Sequence, residues 1–193
     1  GIIDQPGLSL FGEQELEEYE RFKADFFKNL EEAISRFATQ QGNSFLTDKT
    51  KDAITFLKLI SQQYDVATAN PPYTDSADFG DELKEFIDSN YKKPFKFNPN
   101  LYATFIKRCF ELTNRKGKIA MIHPLSFMYV KSFAGVREYI LEHSRIESLI
   151  ELGLGGIFVS TKVDVDVAAY ILNKDIEISN TSYFMNLQAY EYR

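Results

Sequence analysis

Between residues 13 and 40 apolar side chains recur at steps of three and four: Leu16, Tyr19, Phe22, Phe26, Leu30, Ile34 and Phe37. That spacing gathers them on one face of a long amphipathic helix, which Gly42 is placed to end. A second helix is predicted over 48–62, with Asp48 as its N-cap and Ala53, Phe56, Leu57 and Ile60 turned inward. From residue 63 short apolar runs alternate with helical ones. "YDVATA" (64–69) reads as a buried strand and "DELKEFIDSNY" (81–91) as a short helix. "PNLYATFIKRCFELTNRKG" (99–117) is a stronger helix, with Pro99 in its first turn, Leu101, Phe105, Cys109 and Leu112 on one face, and Gly117 closing it. "KIAMIHP" (118–124) is a second buried strand, stopped by Pro124, and "SFAGVREYILEHS" (132–144) a further helix. "IESLIEL" (146–152), "VDVDVAAYIL" (163–172) and "TSYFMNLQAYEY" (181–192) are the remaining strands.

The pattern divides the chain into a helical lead segment, 1–62, and an α/β part, 63–193. Strands alternating with helices imply a mostly parallel sheet covered by helices. Ligands of such sheets bind beyond the carboxyl ends of the strands. At one such end stands Asn70-Pro71-Pro72-Tyr73. Each proline fixes its own φ, donates no N–H, and pushes the residue before it toward an extended conformation. The four residues therefore form a stiff ledge, holding the Asn70 side chain and the Pro71 carbonyl out from the sheet edge. Two acceptor oxygens side by side match the two N–H bonds of a planar amine, and Tyr73 adds a flat aromatic face. The competing reading is an ordinary turn, since Asn and Pro are common loop residues.

The 193 residues carry 44% hydrophobic and 26% charged side chains, the balance of a core-forming domain. No apolar run approaches the length of a membrane span, so no membrane partner is expected. The first residues, "GIIDQPGLSLFGEQ", lack a basic region followed by an apolar stretch and do not read as a signal peptide. One cysteine, Cys109, excludes an internal disulfide and suits the cytoplasm. The net charge of −6 means that any nucleic-acid contact must rely on a local cationic surface or on another part of a larger protein.

"YDVATANPPY" resembles the catalytic motif of S-adenosylmethionine-dependent amino-methyltransferases. "NLYATFIKRCFELTNRKGKIAMIHPLSFM" and "SRIESLIELGLGGIFVSTKVDVDVAAYILNK" are similar to the segments that follow it in large adenine-specific DNA methyltransferases of restriction-modification and phage-defence systems; the resemblance covers about residues 60–174. It implies a Rossmann-like methyltransferase sheet, here its substrate-side half, with S-adenosyl-L-methionine as cofactor and double-stranded DNA with a flipped adenine as partner. It also implies roles. Asn70 and the Pro71 carbonyl would accept from the target amine, Pro72 would stiffen the ledge, and Tyr73 would stack on the base. Asn70 would also meet the cofactor, as would Asn100 and Leu101, which stand where the family has Asp-Leu of an Asp-Leu-Tyr triplet. The family's glycine-rich cofactor loop has no counterpart upstream: residues 1–60 hold Gly1, Gly7, Gly12 and Gly42, with no Gly-x-Gly. The expectation is a piece of a larger polypeptide, inactive alone. Alternatives are the same chemistry on an RNA base or a protein glutamine, or a non-catalytic DNA-binding module.

"ELGLGGIF" (151–158) is expected to be a strand-connecting turn, with a cofactor loop in permuted order as the alternative. "YKKPFKF" (91–97) interleaves lysines with aromatics; it reads as a solvated loop anchored by Phe95 and Phe97, the alternative being a DNA-backbone track. His123, His143 and Cys109 read as structural, with a pocket-lining place the alternative for His123. No His, Cys, Asp and Glu set has metal-ligand spacing.

Overall fold

The structure is a computed structural model that describes residues 13–41, 44–154, 165–176 and 181–187. The described residues fall into two units, divided between Gln62 and Gln63.

The first unit is a pair of helices, α1 (Glu13–Gln41) and α2 (Ser44–Ser61). They run antiparallel: Lys23 Nζ donates to the Ser61 carbonyl at 2.8 Å, and Lys58 pairs with Glu31 at 2.8 Å. α2 starts four residues before Asp48, which is therefore inside the helix and not its N-cap. Its buried residue is Ile54, while Phe56, Leu57 and Ile60, expected inward, are exposed, as is Ala53. In α1 likewise Leu30 and Ile34 are half-buried, whereas Tyr19, Phe22, Phe26 and Phe37 are exposed. The reason is geometric: a helix with one helical neighbour covers only part of a wide apolar stripe.

The second unit is a five-stranded sheet with helices. In chain order it comprises β1 (Tyr64–Ala69), α3 (Asp81–Tyr91), α4 (Leu101–Leu112), β2 (Thr113–Pro124), α5 (Ala134–His143), β3 (Arg145–Leu154), β4 (Asp166–Asn173) and β5 (Tyr183–Asn186). Short 3₁₀ turns occupy Ser76–Asp78, Leu125–Met128 and Lys131–Phe133. The strand order is β1-β2-β4-β3-β5. β1 and β2 are parallel, as are β3 and β5, while β4 is antiparallel to both its neighbours. The sheet is thus mixed, with β4 alone running against the rest.

The α4 helix departs from expectation at both ends. Asn100 is the N-cap, its side chain accepting from the Tyr102 N–H at 3.2 Å, so Pro99 lies ahead of the helix. The helix stops at Leu112, because Thr113 already opens β2 and its hydroxyl donates to the Cys109 carbonyl at 2.6 Å. Lys174 Nζ covers two more carbonyls there, Phe110 at 2.8 Å and Thr113 at 2.6 Å. Gly117 is a strand residue: a Cβ there would lie 2.7 Å from the Asp65 carbonyl of β1, so glycine permits strand contact and does not close a helix. The buried face is Tyr102, Ala103, Ile106, Cys109 and Phe110; Phe105 is 38% exposed.

One sheet face carries the core. Ala67, Ala69, Ile119, Met121, Leu149, Tyr170 and Leu172 pack there against α4 and α5 side chains. The alternate positions, Thr68, Ala120, Ile122, Ser148, Ile150 and Ile171, are half-buried or exposed on the other face. Among the described residues no helix is long and apolar enough to cross a membrane, and no group of three His, Cys, Asp or Glu is placed to hold a metal. Burial pushes the Cys109 thiol up to about 11.

Candidate active site

β1 ends at Ala69, and the next four residues alternate in exposure: Asn70 exposed, Pro71 buried, Pro72 exposed, Tyr73 half-buried. Pro71 anchors the segment while Asn70 stays in solvent. The Tyr73 hydroxyl donates to Asn70 Oδ1 at 3.4 Å, long for an O–H···O bond and hence weak. Desolvation raises the Tyr73 phenol above its usual range.

Beyond Tyr73 the backbone is clasped to the entry of α4. The Leu101 N–H donates to the Thr74 carbonyl at 2.9 Å, and the Ser76 N–H to the Pro99 carbonyl at 3.0 Å. Asp75 and Asn100 form an isolated antiparallel bridge at the same place. Asp75 also caps its own 3₁₀ turn, accepting from the Ala77 N–H at 3.1 Å. The ledge is thus fixed at both ends, by β1 on one side and the α4 cap on the other. Thr74 and Asp75 were not singled out from the sequence, and Pro99 was read only as a first-turn residue of the helix. Their faint signal is Asn98-Pro99-Asn100, a turn-forming cluster ahead of a helix.

Beside Asn70 lies an open hollow of about 490 Å³, lined by Thr68, Ala120, Ile122, Ser148, Ile150 and Ala169 among others. A second hollow, of about 420 Å³, sits at the amino end of β3 near Leu141, Arg145 and Phe184.

Behind the ledge the core holds a column of rings. Tyr102 stacks on His123 with centroids 4.5 Å apart and planes 11° apart, and on Phe133 at 5.4 Å. The Tyr102 hydroxyl shares a 3.0 Å hydrogen bond with Ser126. His123 is fully buried; Nδ1 donates to the Pro124 carbonyl at 3.0 Å and Nε2 accepts from the Tyr170 hydroxyl at 2.7 Å. Burial lowers its pKa to about 4. His123 is a satisfied core group and does not line the hollow. Phe95 and Phe97 both pack on Tyr139, with centroids 5.1 and 5.2 Å away, which anchors the 91–97 loop. Gly153 is a β3 residue at φ +80°, next to a register shift; residues 155–164 lie outside the described ones.

The model of the Eco57I restriction-modification methylase family matches residues 7–158. The chain belongs to the Eco57I restriction-modification methylase family. It is 30% identical over 96 residues to the adenine-specific methyltransferase BrxX of Escherichia coli O9:H4 (strain HS), a match covering 49% of this chain and 8% of BrxX. Over 81 residues it is 33% identical to the adenine-specific methyltransferase PglX of Lacticaseibacillus casei (strain Zhang), covering 42% of this chain and 6% of PglX. The chain therefore matches only a small part of these relatives' length. Among solved structures it is similar to a class I S-adenosylmethionine-dependent methyltransferase described as putative from Listeria monocytogenes, with a TM-score of 0.51, 17% identity, and coverage of 68% of this chain and 39% of that one. Similar too is the Type ISP restriction-modification enzyme LlaGI, solved with a DNA substrate mimic, at a TM-score of 0.50, 19% identity, and coverage of 72% and 16%. At such identities the structural likeness establishes the fold: a Rossmann-like α/β methyltransferase sheet.

Of the two residues expected near a cofactor, Asn100 caps α4 through its side-chain oxygen and Leu101 holds the Thr74 carbonyl through its N–H.

Proposed function

We propose that this chain carries the amine-recognising corner of an adenine-specific DNA methyltransferase of the restriction-modification or phage-defence kind. The observation that carries the reading is Asn70: an exposed amide at a strand's carboxyl end, on a clasped diproline ledge, beside an open hollow, with Tyr73 close by. The names of the sequence relatives, both adenine-specific methyltransferases, favour adenine over an RNA base or a glutamine.

The chemistry follows from the ledge. Asn70 Oδ1 and the Pro71 carbonyl accept the two N–H bonds of the exocyclic amine. Both contacts draw the nitrogen from planar toward tetrahedral and free its lone pair. Tyr73 leaves its weak bond to Asn70 and stacks on the extruded base; such a stack contributes about 1–3 kcal/mol, comparable to the few kcal/mol of extrusion. The work is positioning, which needs a rigid platform. S-adenosylmethionine supplies a methyl group on a sulfonium, a good leaving group. Its ammonium, carboxylate and ribose need charged and paired polar partners, and the described lining of the hollow contains no carboxylate and no glycine turn. That lining alone does not fit the whole cofactor, and we assign the rest of its binding to a larger polypeptide.

The test is Asn70→Ala in the full-length protein, assayed for transfer of labelled methyl to DNA. The expected loss is about 100- to 1,000-fold, typical of removing one preorganised polar contact to the reacting group, with circular dichroism unchanged. Methylation at the parent rate would overturn the reading.

A further inference from the structure

We infer that Lys93, Lys96 and Lys131 form a cationic rim that takes phosphates of the DNA strand delivering the target base. The inference rests on the reading above and extends it to how an acidic chain holds a polyanion.

One close approach brings together the segments that carry the three lysines. A Cβ on Gly135, in the first turn of α5, would collide with the Phe95 carbonyl, so the 91–97 loop lies directly on that turn. Lys131 stands one turn earlier, in the 3₁₀ turn that runs into α5. The loop is rigid: Phe97 is 2% exposed, and the Lys96 and Phe97 N–H groups donate to the Lys92 and Tyr91 carbonyls, both at 2.9 Å. What it presents outward is lysine. Lys92 is neutralised by Asp88 at 3.1 Å. Lys93, Lys96 and Lys131 are exposed and, among the described residues, have no ion pair and no side-chain hydrogen bond.

Two features favour a phosphate partner over idle solvation. Lys96 has φ +58°, the left-handed region, where a residue with a Cβ is strained. Glycine or asparagine fits there with less strain, yet the position carries an ammonium. The rim also lies on the catalytic side of the sheet: α5 follows the carboxyl end of β2, and Lys96 is three residues from Pro99, which clasps the ledge. In a chain of net charge −6 these unpaired cations supply a local positive surface of the kind a backbone contact requires.

The experiment measures the affinity of the full-length protein for a fluorescent duplex of about 30 base pairs between about 50 and 200 mM salt. Each single Lys→Gln change at 93, 96 or 131 should flatten the slope of log K against log salt by about 0.9, and the triple variant by about 2.7. Lys116→Gln, an exposed lysine near the start of β2, should leave the slope unchanged. A triple variant with the parent slope and intact folding would overturn the rim. That failure is separable from failure of the amine reading: the rim falls alone if Asn70→Ala still abolishes methylation, whereas an active Asn70→Ala protein removes the reading beneath it.

Discussion

The ledge at 70–73 and the ring column behind it are neighbours with opposite construction. The column is dry and fully bonded: Tyr102 is 1% exposed, His123 is fully buried, and both His123 nitrogens have partners. The ledge is wet and barely bonded, its one side-chain hydrogen bond stretched to 3.4 Å. A group meant to bind an incoming amine must have its acceptors unspent, whereas a group meant to hold a helix on a sheet must have none left over. The contrast separates residues whose loss should cost stability from those whose loss should cost only chemistry.

The sharpest way to break the contrast is Tyr102→Ala. It should remove about 3–5 kcal/mol of stability, read from the urea midpoint, while Asn70→Ala should leave that midpoint in place. A parent-like midpoint for Tyr102→Ala would show that the column is not structural. Next in size is an acid effect. His123 is held neutral in the folded protein down to about pH 4, whereas its unfolded counterpart protonates near 6.5. Its contribution is fully present above pH 6.5 and is lost as pH falls toward 4. At about 1.36 kcal/mol per unit, that is a loss of a few kcal/mol. His123→Gln should remove this part of the stability–pH slope, and denaturation series at several acid pH values would reveal it. Smallest is Tyr73→Ala, expected to weaken methylation by about 1–3 kcal/mol through lost base stacking. Tyr73→Phe should keep most of the activity, since the 3.4 Å bond to Asn70 is dispensable. A Phe variant as impaired as Ala would mean that the hydroxyl, not the ring, does the work.

Much of the fold was legible where periodicity and punctuation agreed. "YDVATA" became β1 and "DELKEFIDSNY" became α3 residue for residue, because prolines follow the first and an acidic first turn marks the second, but β1 is not the buried strand expected: it lies at the sheet's edge and Val66 is 57% exposed. α4 misled because two glycine and proline signals served other ends. The Pro99 carbonyl accepts from the Ser76 N–H in the clasp, and Gly117 lets β2 approach Asp65. On α1 and α2 the apolar spacing was real, but spacing does not say which part of a stripe a single partner covers; Phe22 and Phe56 are 68% and 62% exposed. For the site, Asn70 stood out because of its prolines. The clasp did not, since the backbone groups of Thr74 and Pro99 leave no mark in side-chain identity. Nor did the approach of the Phe95 carbonyl to α5, which depends on Gly135 having no side chain.

The position of β1 has one more consequence. Among the described residues it pairs in the sheet only with β2 and forms the sheet's edge. Asn70 stands at the tip of that margin. On the proposed reading, a strand added at that margin would also flank the amide that receives the amine.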